Sequence, residues 1–390
     1  MTRSCARGLL VVIGLSIANA AAAQGTVDDV IGFLVTNQRV QTGDFQKDQA
    51  AAQAARIAIG RALLIDLTSV PLATASSGFL YRLNPQLGTV ERATNSFGAF
   101  FIERALTPGS GHASFGVSTS TSDFNQFDGR SLRDGALVTI ANQFRDEPAP
   151  FDVESLILQL RSSTMTIFGS VGIGSRGEIG AAVPMVKLSL DGQRLNVYRG
   201  DTLIQATGNA TASGLADIAI RGKLNLVASR AGGVALAGEV RLPTGDASNL
   251  LGTGKTSLRI MGIGSVENGP VSLHGNASVL TGGISSELDF GGALSVAVHP
   301  RVTVSGETLV RRVSELHALE LVAAPHPTLV AVDTYRLSPT GDAETLAVAV
   351  TGVKWNVAHT AVIGGHLNWA LNHRGLTASV TPTLTFEYAF

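Results

Sequence analysis

The 390-residue sequence predicts an all-β fold, a transmembrane antiparallel β-barrel of twelve strands, fourteen being the alternative count. A helical segment precedes it, either as a plug in the lumen or as a periplasmic arm. Three observations carry this reading. Apolar and polar residues alternate over segments of about 9–13 residues, the length a tilted strand needs to cross a bilayer; soluble strands average about 5–6. Tight and long connections follow one another strictly, as in barrels with short periplasmic turns and longer outer loops. The start of the chain reads as an export signal, and beyond it no run of about 18 apolar residues offers a helical span.

Residues 1–23 carry Arg3 and Arg7, a short apolar stretch from Leu9 to Ile17, and the small residues Ala20 to Ala23. This is a secretory signal pattern with cleavage after Ala23. Cys5, the single cysteine, leaves with it, so the mature chain has no thiol for a disulfide or a metal. Residues 24–105 form the N-terminal region. Val27 to Val40 and Asp44 to Thr68 have helical character, and Asp44 after Gly43 is placed to cap the second helix. Gly78 to Leu83 and Ala99 to Ile102 read as short strands.

The barrel takes residues 106–390, with strands near 111–122, 151–172, 178–190, 216–228, 234–242, 254–267, 270–280, 288–298, 302–313, 344–355, 359–371 and 376–390. In the last, Leu376, Ala378, Val380, Pro382, Leu384, Phe386, Tyr388 and Phe390 hold every even position, and threonines dominate the odd ones. Period two puts the two sets on opposite faces. Tight turns fall at Ser175-Arg176-Gly177, 229–233, Asn268-Gly269, His299-Pro300-Arg301 and near Ala358. Longer links fall at 123–150, 191–215, 243–253, 281–287 and 314–343, with a short one at 372–375. A hairpin around Ala324-Pro325-His326-Pro327 would raise the count to fourteen. Segments 151–172 and 344–355 change phase midway, which suggests bulges or misplaced boundaries.

Composition excludes other classes. Hydrophobic residues make up 45% and charged residues 15%, too apolar for a disordered chain. With 29 Lys+Arg against 30 Asp+Glu, no basic surface exists to displace counterions from nucleic acid. Gly254-Lys255-Thr256 imitates the end of a phosphate loop, but Asn249 stands where its first glycine belongs. Gly172 to Gly177 spells a dinucleotide fingerprint without the helix that would hold a pyrophosphate. The eight histidines have no metal-ligand spacing, and no serine, histidine and acid share a local signature, so no enzyme is predicted.

The polar faces carry the coherent signal. Asp217, Arg221, Lys223, Glu239 and Arg241 share a side on two consecutive strands, and Lys255, Arg259, Asp289, Glu307, Arg311 and Glu387 extend the set. Facing lipid would cost about 2–4 kcal/mol for each midplane Lys or Arg, so these residues are expected to line the lumen. His274 and His366 fall on the same polar faces. Arg241, Pro243, Gly245 and Asp246 sit where a strand meets an outer loop. Arg221, Lys223, Glu239, Arg241, Pro243, Gly245, Asp246, His274 and His366 are therefore the candidate substrate-contact or gating residues.

Several runs carry a resemblance: Gly78-Phe79-Leu80-Tyr81-Arg82-Leu83-Asn84-Pro85, Leu87-Gly88-Thr89, Ser96-Phe97-Gly98, Glu103-Arg104-Ala105-Leu106 and Ala182-Val183-Pro184-Met185-Val186. Arg241-Leu242-Pro243-Thr244-Gly245-Asp246 and Asn249-Leu250-Leu251-Gly252-Thr253-Gly254 are the most specific. Together they resemble the bacterial outer-membrane transporter family described as meta-pathway phenol degradation proteins. That family is similar in architecture to channels for long-chain fatty acids and aromatic hydrocarbons. The resemblance spans most of the mature chain and implies a closed barrel that passively admits small hydrophobic or aromatic molecules, without a cofactor. Aromatics amount to 5%, and Trp355 and Trp369 are the only tryptophans, so the interfacial girdles are thin. The partners that follow are outer-membrane lipid, a small hydrophobic substrate and the barrel assembly machinery, the last through the strand ending at Phe390. A structural or secretion-related barrel is the alternative, and a homo-oligomer stays open.

Overall fold

The computed structural model describes residues 25–69, 81–84, 89–92, 94, 96–229, 232–358 and 360–390. The signal segment 1–23, Gly78 to Leu80, and the turn residues Arg230 and Ala231 lie outside them. Twelve strands close on themselves: β1 Ala113–Phe124, β2 Asp152–Ile173, β3 Gly177–Tyr198, β4 Ala219–Ser229, β5 Gly232–Arg241, β6 Ser257–Asn268, β7 Val271–Gly282, β8 Glu287–His299, β9 Val302–Ser314, β10 Ala343–Ala358, β11 Ala361–Ala370 and β12 Val380–Ala389. Each pairs antiparallel with its sequence neighbour, and β12 closes the ring on β1. Ala113 and Phe390 complete the seam by exchanging both backbone hydrogen bonds at 2.9 Å. Closure leaves no strand edge in hydrocarbon. The predicted count of twelve holds.

Parity sets the two faces. Ile220, Leu236, Ile260, Leu273, Phe290, Val304, Trp355 and Ile363 point outward and are exposed, while Lys223, Glu239, Arg259, His274, Asp289, Glu307 and Lys354 point inward and are buried. This arrangement, apolar outside and charged inside, is that of a barrel whose solvent is lipid.

The barrel continues past the membrane at its long-loop end. β2 and β3 are each 22 residues long and stay paired without a break from Asp152↔Tyr198 to Ile173↔Gly177. Their lower halves pair with β1 and β4. Their upper halves pair with two further strands, Leu137–Phe144 and Asp201–Leu215. The hairpin Ala318–Pro325/Val332–Thr340 adds to Leu137–Phe144, giving a six-stranded outer sheet. Two expectations need correcting. The hairpin around Pro325 exists but lies outside the closed ring, so it does not raise the count to fourteen. The stretch 191–215 is no loose link but the rest of β3 and the strand that returns along it.

The phase change in β2 is not a bulge. Even-numbered residues face inward from end to end; what changes is the medium. Below, Met165, Ile167, Val171 and Ile173 face lipid and Ser162 and Thr166 face the lumen. Above, Leu156, Leu158 and Leu160 are buried inward, and Gln159 and Arg161 face solvent. β3 inverts in step: Ile179 faces lipid, whereas Val186, Leu188 and Leu190 are buried beneath exposed Lys187 and Asp191. In β10 the even positions likewise stay inward, and the sole register shift lies at the turn end, between Asn356 and Ala358.

Those inward leucines meet two helices. α1, Val27–Val35, starts at a capping box in which Thr26 and Asp29 satisfy each other's backbone N–H, both at 3.2 Å. It is shorter than the predicted 27–40, because the Asn37 side-chain oxygen Oδ1 accepts from the backbone N–H of Arg39 and Val40 and turns the chain away. α2, Phe45–Ser69, begins as expected with the Asp44 carboxylate accepting from Lys47 N at 3.1 Å. Val27, Ile31, Leu34, Ile59, Leu63 and Ile65 join Leu156, Leu158, Leu188, Leu190, Leu319 and Leu337 in the main apolar core. The core thus sits at the loop end, above the membrane-spanning wall. Arg56–Asp28 at 2.7 Å ties the helices together, and Asp48–Arg336 at 2.8 Å ties α2 to the outer sheet.

Candidate functional site

Inside the wall, residues 96–105 run as an irregular strap. Having no strand partner of its own, the strap finds its hydrogen bonds on inward side chains. Phe97 N donates to Thr303 Oγ1 at 3.0 Å. The N–H groups of Phe100, Phe101 and Ile102 converge on the Glu307 carboxylate at 2.5, 2.9 and 2.9 Å. Ala105 N donates to Ser265 Oγ at 2.8 Å. Lys354 Nζ reaches Ala99 O at 3.2 Å, and Asn225 Nδ2 reaches Ala105 O at 2.8 Å. The Asn276 amide, with its nitrogen toward Glu103 O and its oxygen toward Glu103 N, pairs both groups at 3.2 and 2.8 Å. The predicted strand at Ala99 to Ile102 is therefore absent: this backbone is satisfied by side chains instead of a neighbouring strand.

Ion pairs line the same interior. Lys223–Glu178 and Arg241–Glu239 lie at 2.9 Å, Arg259–Asp289 at 2.7 Å, Arg311–Glu287 at 3.3 Å and Lys354–Glu387 at 3.6 Å. Arg221 pairs with Glu103 of the strap. Matching each cation to a carboxylate offsets desolvation that neither would tolerate alone.

The nine candidate residues fall into three groups. Arg221, Lys223, Glu239, Arg241 and His274 stand on the strap side of the lumen; Arg221 and Lys223 touch the strap, and His274 Nδ1 meets Ser265 Oγ at 3.0 Å, the hydroxyl that receives Ala105. Pro243, Gly245 and Asp246 lie in the outer loop, away from the lumen. Gly245 N, Thr253 N and Thr253 Oγ1 all bond to Asp217 at 3.1, 2.8 and 2.7 Å. A Cβ on Gly245 would meet Gly252 Cα at 2.7 Å. Hydrogen bonds from Ser248 and Asn249 hold the Asp246 carboxyl below its usual range. Asp217, expected in the lumen, is buried under this loop, and Lys255 is exposed beside it, a correction to its predicted lumenal place.

His366 stands in the open half. Beside the strap a cavity of about 200 Å³ runs along β1, β2, β9, β10, β11 and β12. Ser118, Ser120, Ser162, Thr164, Thr166 and Thr383 line one side. Leu67, Phe101, Leu309, Leu346, Val348 and Val350 line the other. At its deep end His366 packs against Phe100 and Phe101, with ring centroids 4.2 and 5.3 Å away. Glu307 and the Phe100–Phe101 pair were not among the candidates. Strand parity places Glu307 among the inward charges, but the phenylalanine-rich run 97–101 has no period that would mark it as Glu307's partner.

The fold and this interior define a transmembrane β-barrel with a strapped, partly open lumen. No family model matches the chain, and no curated protein matches it in sequence. Among solved structures it is similar to the COG4313 outer membrane channel from Pseudomonas putida F1, at 12% identity and a TM-score of 0.43, over 73% of this chain and 98% of that one. It is also similar to the Ralstonia pickettii toluene transporter TbuX, at 12% identity and 0.29 over 73% and 90%. The translocator domain of the autotransporter NalP from Neisseria meningitidis follows at 12% and 0.31 over 72% and 88%. Likenesses this distant do not separate uptake channels from secretion barrels, so function rests on the interior.

Proposed function

We propose that this chain is an outer-membrane channel for the passive uptake of small hydrophobic or aromatic compounds, of the kind its sequence resemblance implies. The cavity between the serine–threonine face and the Leu309–Leu346–Val348–Val350 face carries the reading. A volume of about 200 Å³ suits one small ring, since apolar cavities of about 150 Å³ take up benzene. The long-loop end faces outward and the turn end faces the periplasm. Residues 1–23 direct export, residues 24–105 act as the plug, and the barrel assembly machinery receives the strand ending at Phe390. The Phe100–Phe101 pair, held on Glu307, is the inner barrier that a solute must displace.

The test is uptake of a monoaromatic hydrocarbon by cells with and without the gene, beside conductance of the purified protein in a planar bilayer. A substrate-dependent uptake defect with low resting conductance supports the channel. Envelope defects with unchanged uptake would replace it with a structural barrel. Steady large openings would mean a water-filled pore.

A further inference from the structure

We propose that the deep end of the lumenal cavity is a subsite for small apolar molecules bearing one neutral hydrogen-bond donor, such as a hydroxyl, in preference to plain hydrocarbons. The inference rests on the channel reading and narrows its cargo.

His366 is 4% exposed, lines the cavity, and has neither ring nitrogen bonded to a protein group. Two residues along β11 on the same inward face, Asn368 Oδ1 is likewise buried without a partner and lines the same cavity. On the strap side Lys223, Arg241, Arg259 and Lys354 have carboxylates and the Asn225 amide nitrogen has a backbone carbonyl. His274 Nε2 and Asn225 Oδ1 are also buried without a partner there, but neither residue lines the cavity, whereas His366 and Asn368 both do. A neutral imidazole has one donor and one acceptor, and the Asn368 amide oxygen accepts, so this end holds two buried acceptors for a hydroxyl hydrogen. A hydroxyl can give its hydrogen to Asn368 or to the imidazole while its ring lies against Phe101, Leu309 and Val350.

Charge narrows the class further. The two cavity-lining arginines already face carboxylates, Arg311 facing Glu287 at 3.3 Å and Arg374 facing Glu344 at 3.6 Å. Asp66 adds an acid to the same lining, which disfavours anions. A hydrocarbon of the same shape would leave His366 and Asn368 buried and unpaired, the costly outcome for polar groups.

The test uses the full-length mature protein in nanodiscs, with 4-fluorobenzyl alcohol and its isostere 4-fluoroethylbenzene as probes. Binding is followed by fluorine NMR and corrected for partition into empty nanodiscs. The alcohol should bind about tenfold tighter than the hydrocarbon, the worth of one net hydrogen bond. Asn368→Leu should abolish or invert that preference. Leu309→Phe, which fills the cavity, should weaken both probes. Heat-modifiable migration and far-UV circular dichroism check that each variant is folded. If the wild type binds both probes equally, and Leu309→Phe displaces both, the subsite is overturned while the channel stands. If neither probe binds, the channel reading falls and takes the subsite with it.

Discussion

Two carboxylates near the lumen do opposite things. Glu307 gathers three consecutive backbone N–H groups of the strap while Lys354 holds Ala99 from the next strand. Hydrogen bonds to a charged group contribute about 1.5–3 kcal/mol each, so Glu307→Gln should release the Phe100–Ile102 segment while sparing the wall. Brief openings absent from the wild type should appear in bilayer recordings; a silent variant would mean the strap is held elsewhere. Asp66 works against its surroundings. Burial raises its carboxyl from 3.8 to about 6, with Arg311 pulling the other way. The folded protein therefore binds this proton more tightly than the unfolded chain, and stability falls as pH rises from about 4 to about 6. Above that window the cost is fully present, at most about 3 kcal/mol and less because the side chain keeps contact with the cavity. Asp66→Asn should thus raise unfolding stability at pH 8 and flatten the difference between pH 5 and pH 8. Urea titrations at the two pH values would show it, and equal pH dependence in both proteins would refute it.

At the scale of elements, β2 and β3 show why hydrophobic phase reports environment. Both keep one parity for 22 residues, yet their apolar set moves from the outward to the inward face. That inversion puts the membrane boundary between Arg161 and Met165 on β2, and between Ile179 and Lys187 on β3. Ile167→Arg should cost about 2–4 kcal/mol in refolding titrations into lipid, whereas Gln159→Arg, above the boundary, should stay within about 0.5 kcal/mol. Equal costs would move the boundary outward. The twelve wall strands and their turns were legible because alternation and connection length are local signals. The outer sheet was not, since strands leaving the membrane keep alternating with the sense reversed, and residues 191–215 then read as a loop. The inward charges were legible for a similar reason: parity says which way Arg221 points. It says nothing of Glu103, its partner, because the irregular strap has no period from which a side chain's direction could be read.

For the whole molecule, the two closures are separate in space and in kind. At the loop end α1 and α2 cap the outer sheet through an apolar core; deeper in the lumen the strap is held by hydrogen bonds and ion pairs to the wall. Removing residues 24–69 would strip the cap and expose Leu156, Leu158, Leu188 and Leu190, which now pack against the helices. The backbone ladder of the twelve-strand ring includes none of the deleted residues, so the barrel should still form. Its strap would also stay in place, because Phe97, Phe100, Phe101, Ile102 and Ala105 bond to side chains of β6 and β9. The truncated protein should therefore bind a hydrophobic dye at its loop end yet remain nearly as silent in a bilayer as the parent. Truncation combined with Glu307→Gln should conduct more than either change alone, since two barriers in series must both be removed for ions to pass. Large conductance from the truncation by itself would place the barrier in the helical cap, and the strap would then be only a brace for the wall.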